Sequence, residues 1–338
     1  MRGIVIAGGF GTRLRPLTLT RPKPLMPLVN APLLAYQLSY LKAAGIKEVC
    51  FATNYMWEAV QAEFGDGTAI GMKIVYAVED EPLDTGGAIR NAYDAFPGDE
   101  CVVFNGDVIH GFDIADIVRK HHERGADVTL TLHEVARPHV YGVVPVGEGG
   151  EVRGFHEPSD EQKRALSGPA DELTDLINAG LYVMSAAAIE TIPLRRCNVE
   201  REVFPKLIGE GWRVFGDVRG DYWIDIGRPT QYLEAVAAIV SGQVASVTGA
   251  SAVHGEARVH ESAKVCCHSS IGKGVTIGEG STVCASAIFE DVRVGSGVKI
   301  VRSVIGEGSV IGSSASIENS VLAAGSVIGE HSLLGGFA

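Results

Sequence analysis

Three glycines, Gly8, Gly9 and Gly11, follow the apolar run "GIVIA", and Arg13 and Lys23 come soon after. Glycine has no Cβ, so backbone N–H groups at these positions can approach a polyphosphate closely. An Arg fork and a Lys point charge can then neutralise its oxygens. The first 47 residues contain seven Lys or Arg (Arg2, Arg13, Arg15, Arg21, Lys23, Lys42 and Lys47) and no Asp or Glu, in a chain of formal net charge −12. A small anionic ligand is expected on this segment. Two carboxylates complement it. Asp107 in "FNGDV" follows the apolar "CVVF", and Asp225 in "YWIDIG" closes a similar run. Both fall at expected strand C-termini, where open α/β sheets bind their ligands. Two carboxylates about 5 Å apart repel by roughly 3 kcal/mol at an effective dielectric near 20. A Mg²⁺ ion held by them and by substrate phosphates reverses that sign. Each feature alone has a bland explanation, a tight turn for the glycines and loop capping for each Asp. Together they suit a polyphosphate ligand.

The elements that must position these residues are of two kinds. From residue 1 to about 240, β-branched runs alternate with helical patterns ("GIVIAGG", "PLLAYQLSYLKAAG", "EVCFAT", "MWEAVQAEFG", "KIVYAV"). This alternation implies β-α-β units and a mainly parallel, Rossmann-like sheet. Near Gly242 the helical period ends. Val253, Val259, Val265, Ile271, Ile277 and Val283 are spaced by six, and after a step of five come Ile288, Val294 and Ile300. Further steps of five introduce Ile305, Ile311 and Ile317, then Leu322, Ile328 and Leu334. A hexapeptide repeat with a regular one-residue skip is the signature of a parallel β-helix filled by an aliphatic ladder. The expected domains are 1–240 and 248–338.

Composition narrows the function. At 46% apolar and 21% charged residues, with an acidic balance, the 338-residue chain is an ordinary globular sequence with no broad nucleic-acid surface. The apolar run after Arg2 is too short for a signal-peptide core, and no later stretch could span a bilayer, so a cytoplasmic protein without a membrane role is expected. The six cysteines lack CxxC pairing, which assigns them a reduced, structural role. The ten histidines form no HxH or HxxxH pair, and His121 and His122 in "IVRKHHERGAD" are expected at an exposed helix end. A dehydrogenase reading is poorly served, because GxGxxG is absent and no acidic residue stands about 20 positions beyond the loop.

The long string "AGGFGTRLRPLTLTRPKPLMPL" resembles the signature of the sugar-1-phosphate nucleotidylyltransferases. "EDEPLDTGGAIRNA", "FNGDV", "YGVV", "NAGLYV", "VEREVFP" and "YWIDIGRP" follow in the family order, ahead of the hexapeptide tail. The wording is most similar to mannose-1-phosphate guanylyltransferases with a left-handed β-helix tail. The resemblance implies that a phosphate oxygen of a sugar 1-phosphate attacks the α-phosphorus of an NTP, expelling pyrophosphate. It makes Arg13 and Lys23 catalytic, and assigns nucleotide contacts to Ala7, Gly8, Gly9, Gly11, Thr12, Glu79, Asp84, Gly86 and Gly87. It gives the sugar phosphate to Tyr141, Gly142, Glu157 and Asn178, and Mg²⁺ to Asp107 and Asp225. GTP and mannose 1-phosphate are the implied substrates, and the β-helix is the implied homo-oligomer surface.

Two departures stand out. The family commonly has Gly where Asp84 stands, and a carboxylate there could accept from the N1–H and N2–H of guanine; capping the helix that begins at "TGGAIRNA" is the alternative. Relatives also usually read Glu-Lys-Pro where this chain has "FHEPSD", so the lysine after Glu157 is missing, with His156, Lys163 or Arg153 as possible substitutes. That leaves a heptose or a valienol-type cyclitol 1-phosphate open as acceptor. A non-catalytic regulatory subunit and a β-helix that also transfers acyl groups are the rival readings.

Overall fold

The computed structural model describes residues 1–135, 142–155, 175–247 and 252–336. Their contacts divide the chain into two compact units, Met1–Gly9 with Gln37–Trp223, and Phe10–Tyr36 with Ile224–Ala338.

The first unit is built on seven strands: β1 (Arg2–Ile6), β2 (Glu48–Thr53), β3 (Lys73–Val78), β4 (Glu100–Asn105), β5 (Val128–Glu134), β6 (Leu176–Ser185) and β7 (Val214–Arg219). They lie in the order β7-β5-β6-β4-β1-β2-β3. Only β6 runs antiparallel to its neighbours; the remaining pairs are parallel. The apolar runs of β1, β2 and β4 are almost wholly buried, as strands covered on both faces must be. On one face Ile4, Cys50, Ala52 and Ala77 join Ala88, Ile89 and Ala92 of the helix Asp84–Ala95. On the other, a Cβ at Gly3 would meet Leu41 Cδ1 of the helix Leu33–Ala43 at 2.9 Å, so glycine sets how closely that helix approaches. The chain builds outward from β1 through β2 and β3, then crosses to β4 on β1's other side. The C-terminal ends of β1 and β4 therefore flank the switch point at which such sheets bind ligands.

In the second unit the hexapeptide ladder is observed as read. Short parallel strands stack in three sheets; one runs Arg258–Val259, Thr276–Ile277, Arg293–Val294, Val310–Ile311 and Val327–Ile328. Arg258 is in register with Thr276, and Thr276 with Arg293, so the second coil is one position shorter than the first. The shortening follows directly from where the steps of five begin. Ile271, Ile277, Val283, Ile288, Val294, Ile300, Ile305, Ile311, Ile317 and Leu322 form the buried ladder, the parallel β-helix of the left-handed class. A polar ladder runs beside it. The Oγ atoms of Ser269, Ser286 and Ser303 accept from the N–H groups of Ser286, Ser303 and Ser320 at 3.0–3.2 Å. These bonds satisfy buried backbone donors one coil apart.

Two expectations are corrected. His121 is buried at the end of the helix Ile114–Arg124, with Nδ1 2.8 Å from Thr129 Oγ1, and only His122 is exposed. The stripe that carries Ile114 and Ile117 to the core also carries His121, which a reading of charge alone did not register. Cys50, Cys101 and Cys197 are buried as structural thiols should be, but Cys266 and Cys267 are exposed and Cys284 is only half-buried.

Just beyond the β4 turn, His110 is buried and stacked against Phe104 and Phe112. Its Nδ1 accepts the Phe112 N–H at 3.0 Å, while Nε2 finds no partner among the described residues. Burial depresses the imidazole to about 3, below the unfolded value of about 6.5. Its contribution to stability is therefore complete above about pH 6.5 and is lost at about 1.4 kcal/mol per pH unit as the pH falls from there. In acid-unfolding curves His110→Phe should remove one proton's worth of slope between about pH 6 and pH 4, so that its stability relative to the unsubstituted protein rises as the pH falls through that window; an unchanged slope would refute the assignment.

Candidate active site

In the first unit the switch point is shaped by backbone proximity. Beyond β1 the Ala7 N–H bonds Ala52 O at 2.8 Å, and a Cβ at Gly8 would lie 3.3 Å from Asn54 N. Gly9 has open space where a side chain would be. Beyond β4 the Gly106 N–H donates to Ile6 O at 2.9 Å, and a Cβ there would come within 2.5 Å of the same oxygen. Glycine is thus obligatory in "FNGD", and it brings half-buried Asp107 to the turn beside the β1 terminus.

The "EDEPLDTGG" segment forms the next wall. Glu79 is buried and its Oε2 accepts the Leu83 N–H at 2.9 Å. Desolvation raises the Glu79 carboxyl above the ordinary range, opposed by that hydrogen bond and reinforced by the Asp84 charge. Asp84 has φ 58, inside the left-handed region. Glycine is the natural occupant there and Asp one of the few tolerated substitutes, which accounts for the departure at this position. Asp84 Oδ1 accepts from Thr85 N–H at 2.7 Å and from Asn198 Nδ2 at 3.1 Å. Gly86 and Gly87 are tight for an internal reason. A Cβ at Gly87 would stand 2.4 Å from Arg195 O, and one at Gly86 would stand 2.8 Å from Cys197 Sγ.

Asn198 continues from this wall to the residues expected on the sugar side. Its Oδ1 accepts the N–H groups of Glu200 and Arg201 at 3.0 Å, fixing the turn that carries Glu200. Asn178 Nδ2 donates to Glu200 Oε1 at 2.6 Å and to Tyr182 Oη at 2.7 Å. A Cβ at Gly142 would lie 3.8 Å from Glu200 Oε2. Glu200 and Asn198 were missed from sequence, although "VEREVFP" was the signal that could have found Glu200. Tyr141 and Glu157 lie outside the described residues, as do His156 and Lys163. Arg153 packs on its own hairpin, its N–H bonding Pro145 O at 2.9 Å.

The second unit holds the rest of the basic segment. Gly11 has φ 60 and opens three successive 3₁₀ turns, Thr12–Leu14, Leu17–Leu19 and Lys23–Leu25. Thr18 Oγ1 donates to Gly11 O at 2.8 Å, and a Cβ at Gly11 would meet Lys23 Cβ at 3.2 Å. Lys23 is consequently buried, whereas Thr12 and Arg13 are exposed. Arg13, Asp225 and Gln231 converge on Gly227. A Cβ there would lie 3.0 Å from Arg13 Nη2, 3.0 Å from Asp225 Oδ2 and 3.1 Å from Gln231 Oε1. Gln231, on the helix Pro229–Val240, donates to Asp225 Oδ1 at 2.6 Å and accepts the Gly227 N–H at 3.2 Å. It orients the carboxylate, and the sequence reading overlooked it.

The basic segment is seated on the β-helix. Arg21 pairs with Glu290, Thr20 Oγ1 donates to Glu307 at 3.1 Å, and Asn30 Nδ2 donates to Ile271 O at 3.2 Å. Tyr36 Oη bonds Leu28 O at 2.9 Å and Tyr232 Oη bonds Pro27 O, closing the segment's far end.

These features define a nucleotide-handling α/β enzyme with a β-helix, and comparison with known proteins agrees. The nucleotidyl transferase family matches residues 2–242 and the GMPPB C-terminal domain matches 247–336. The mannose-1-phosphate guanylyltransferase of Mycobacterium tuberculosis is 40% identical over 83% of this chain and 76% of its own. A probable mannose-1-phosphate guanylyltransferase 1 of Oryza sativa is 33% identical over 82% and 75%. Crystalline HddC from Yersinia pseudotuberculosis, complexed with GMP-PN, is similar with TM-score 0.58 and 27% identity, over 70% of this chain and 98% of that one. The chain belongs to the nucleotidyl transferase family and is a nucleotidyltransferase of nucleotide-sugar biosynthesis. No helix among the described residues is long and apolar enough to cross a membrane.

Enzymes of this family generally use a divalent metal. Asp225 has the donor chemistry for one: its carboxylate oxygens are hard ligands and Gln231 orients one of them, while Arg13 Nη2 and the other oxygen both face Gly227. Replacing Gln231 with Leu should lower turnover about 10- to 100-fold while leaving the fold intact, measured as pyrophosphate release beside far-UV circular dichroism. Glu290→Gln should release the basic segment at a cost of about 1 kcal/mol for a part-exposed pair, lowering kcat/KM about fivefold. Wild-type kinetics in that variant would show that the seating is dispensable.

Proposed function

We propose that the chain transfers a guanylyl group from GTP to mannose 1-phosphate, giving GDP-mannose and pyrophosphate. The observation that carries this reading is the meeting of Arg13 with Asp225 at Gly227, a phosphate-binding fork beside a hard-oxygen ligand. The relatives' names support the choice of base and sugar. In this reading Ala7, Gly8, Gly9, Gly11 and Thr12 offer backbone and hydroxyl donors to the triphosphate. Arg13 and Lys23 neutralise the charge that builds on the departing pyrophosphate. Glu79 and Asp84 face the base edge, with Gly86 and Gly87 behind them. Tyr141, Gly142, Glu157 and Asn178 hold the sugar phosphate so that its oxygen lies in line with the α-phosphorus. The protein's contribution is positioning and charge neutralisation, without a covalent enzyme intermediate. Asp107 and Asp225 would hold Mg²⁺, which when bound supplies charge neutralisation and a template for the phosphates. Residues 1–240 act as the catalytic domain and 248–338 as the surface for homo-oligomer formation, in the cytoplasm.

A second acceptor, a heptose or valienol-type cyclitol 1-phosphate, is favoured by one observation, the missing lysine after Glu157. Pyrophosphate release over a matrix of NTPs and sugar or cyclitol 1-phosphates separates the readings. Reaction of GTP with mannose 1-phosphate as the best pair is the expected result, and no reaction with any pair would favour a regulatory subunit. Asp84→Asn keeps an oxygen for Thr85 and Asn198 while removing the charge. It should reduce the preference for GTP over ATP by about tenfold, the value of a charge-assisted hydrogen bond; an unchanged nucleotide profile would remove Asp84 from base recognition.

A further inference from the structure

Outside the residues assigned to the reaction, three thiols stand together on the β-helix. The strand Lys264–Cys266 pairs in parallel with Thr282–Cys284, and Cys266 is in direct register with Cys284. Consecutive side chains of a regular strand point to opposite faces. Cys267 breaks this rule by taking φ 52 at the coil corner, and its Sγ lies 3.6 Å from that of Cys266. The sulfur atoms of Cys266, Cys267 and Cys284 all lie within 4.8 Å of one another, the one such ligand group among the described residues.

The fold does not demand thiols here. Further along the same column the positions are filled by Val301, Glu318 and Gly335. The corners corresponding to Cys267 hold Ala285, Arg302 and Asn319, each with φ near that of Cys267, 46–47. Burial does not explain them either, since two of the three are exposed.

We propose that Cys266, Cys267 and Cys284 form a three-thiolate site for a soft d¹⁰ cation, Cu⁺ or Zn²⁺. Metal–sulfur bonds of about 2.3 Å set ligating sulfurs about 3.7–4.0 Å apart in tetrahedral or trigonal geometry. The observed spacing reaches that with small side-chain adjustments. Thiolate sulfur selects these cations over the hard, oxygen-seeking ions of phosphoryl chemistry, so the site is chemically separate from Asp107 and Asp225. Binding displaces the thiol protons and changes no oxidation state. Cu⁺ is satisfied by three sulfurs, while Zn²⁺ takes a fourth ligand from solvent. The bound ion staples two adjacent coils through Cys266 and Cys267 on one and Cys284 on the next.

The full chain, reduced and handled without oxygen, is titrated with Cu⁺ against a competing chelator and, in a separate arm, with Zn²⁺. Metal per chain and sulfur-to-metal charge-transfer absorption are read. One equivalent of one of these ions is expected, with affinity at least tenfold weaker in Cys267→Ser and no retention in the triple variant C266S/C267S/C284S. None of the three belongs to the catalytic set, so unchanged pyrophosphate release verifies that the variants fold. Failure of the wild type to retain either ion overturns the proposal, as does equal retention by the triple variant. Loss of two titratable thiols to a disulfide before metal is added overturns it too.

Discussion

The ion pair between Arg21 and Glu290 ties the basic segment to the β-helix. The basic segment that includes Arg13 and Lys23 is made of short 3₁₀ turns, which have few backbone bonds of their own. Such a segment must borrow rigidity from something larger. Here the β-helix lends it, through Glu290, Glu307 and the Ile271 carbonyl. The β-helix is well suited to this because its aliphatic ladder recurs in every coil and fixes each one against the next. Positions such as Glu290 are therefore held where a loop could not hold them.

Charge explains the rest of that segment. Arginines and lysines gathered along a run without acidic residues repel one another, and carboxylates from elsewhere in the chain offset part of that repulsion, Glu48 at Arg2 and Glu290 at Arg21. Glu290 and Glu307 come from a part of the chain that does not enter the acid-free run, so the anchoring carboxylates grip Arg21 and Thr20 and leave Arg13 to meet Asp225. Gln231 serves the same end. A neutral donor orients the Asp225 carboxylate without cancelling its charge.

In the first unit Asn198 plays a comparable part. It bonds Asp84 on the proposed base side and the turn bearing Glu200 on the proposed sugar side, and Glu200 in turn is bonded by Asn178. These side chains form one connected set, so a change at either end is felt through a single amide.

Much of this was legible beforehand. The alternation of β-branched and helical runs determined the parallel sheet, because strands buried on both faces must be apolar throughout. The position of each step of five determined even which coil is the first to shorten. The glycines of the N-terminal loop and of "FNGDV" marked where backbone crowds backbone. What the sequence could not decide was which distant side chains meet. Gln231, Asn198 and Glu200 act through partners that only folding brings within hydrogen-bond reach, and no periodicity encodes such pairs. Likewise the burial of His121, the left-handed backbone of Asp84 and the gathering of three thiols at a coil corner were settled by tertiary structure. A linear pattern records which face a residue lies on, but the distance between two faces is set only when the elements dock.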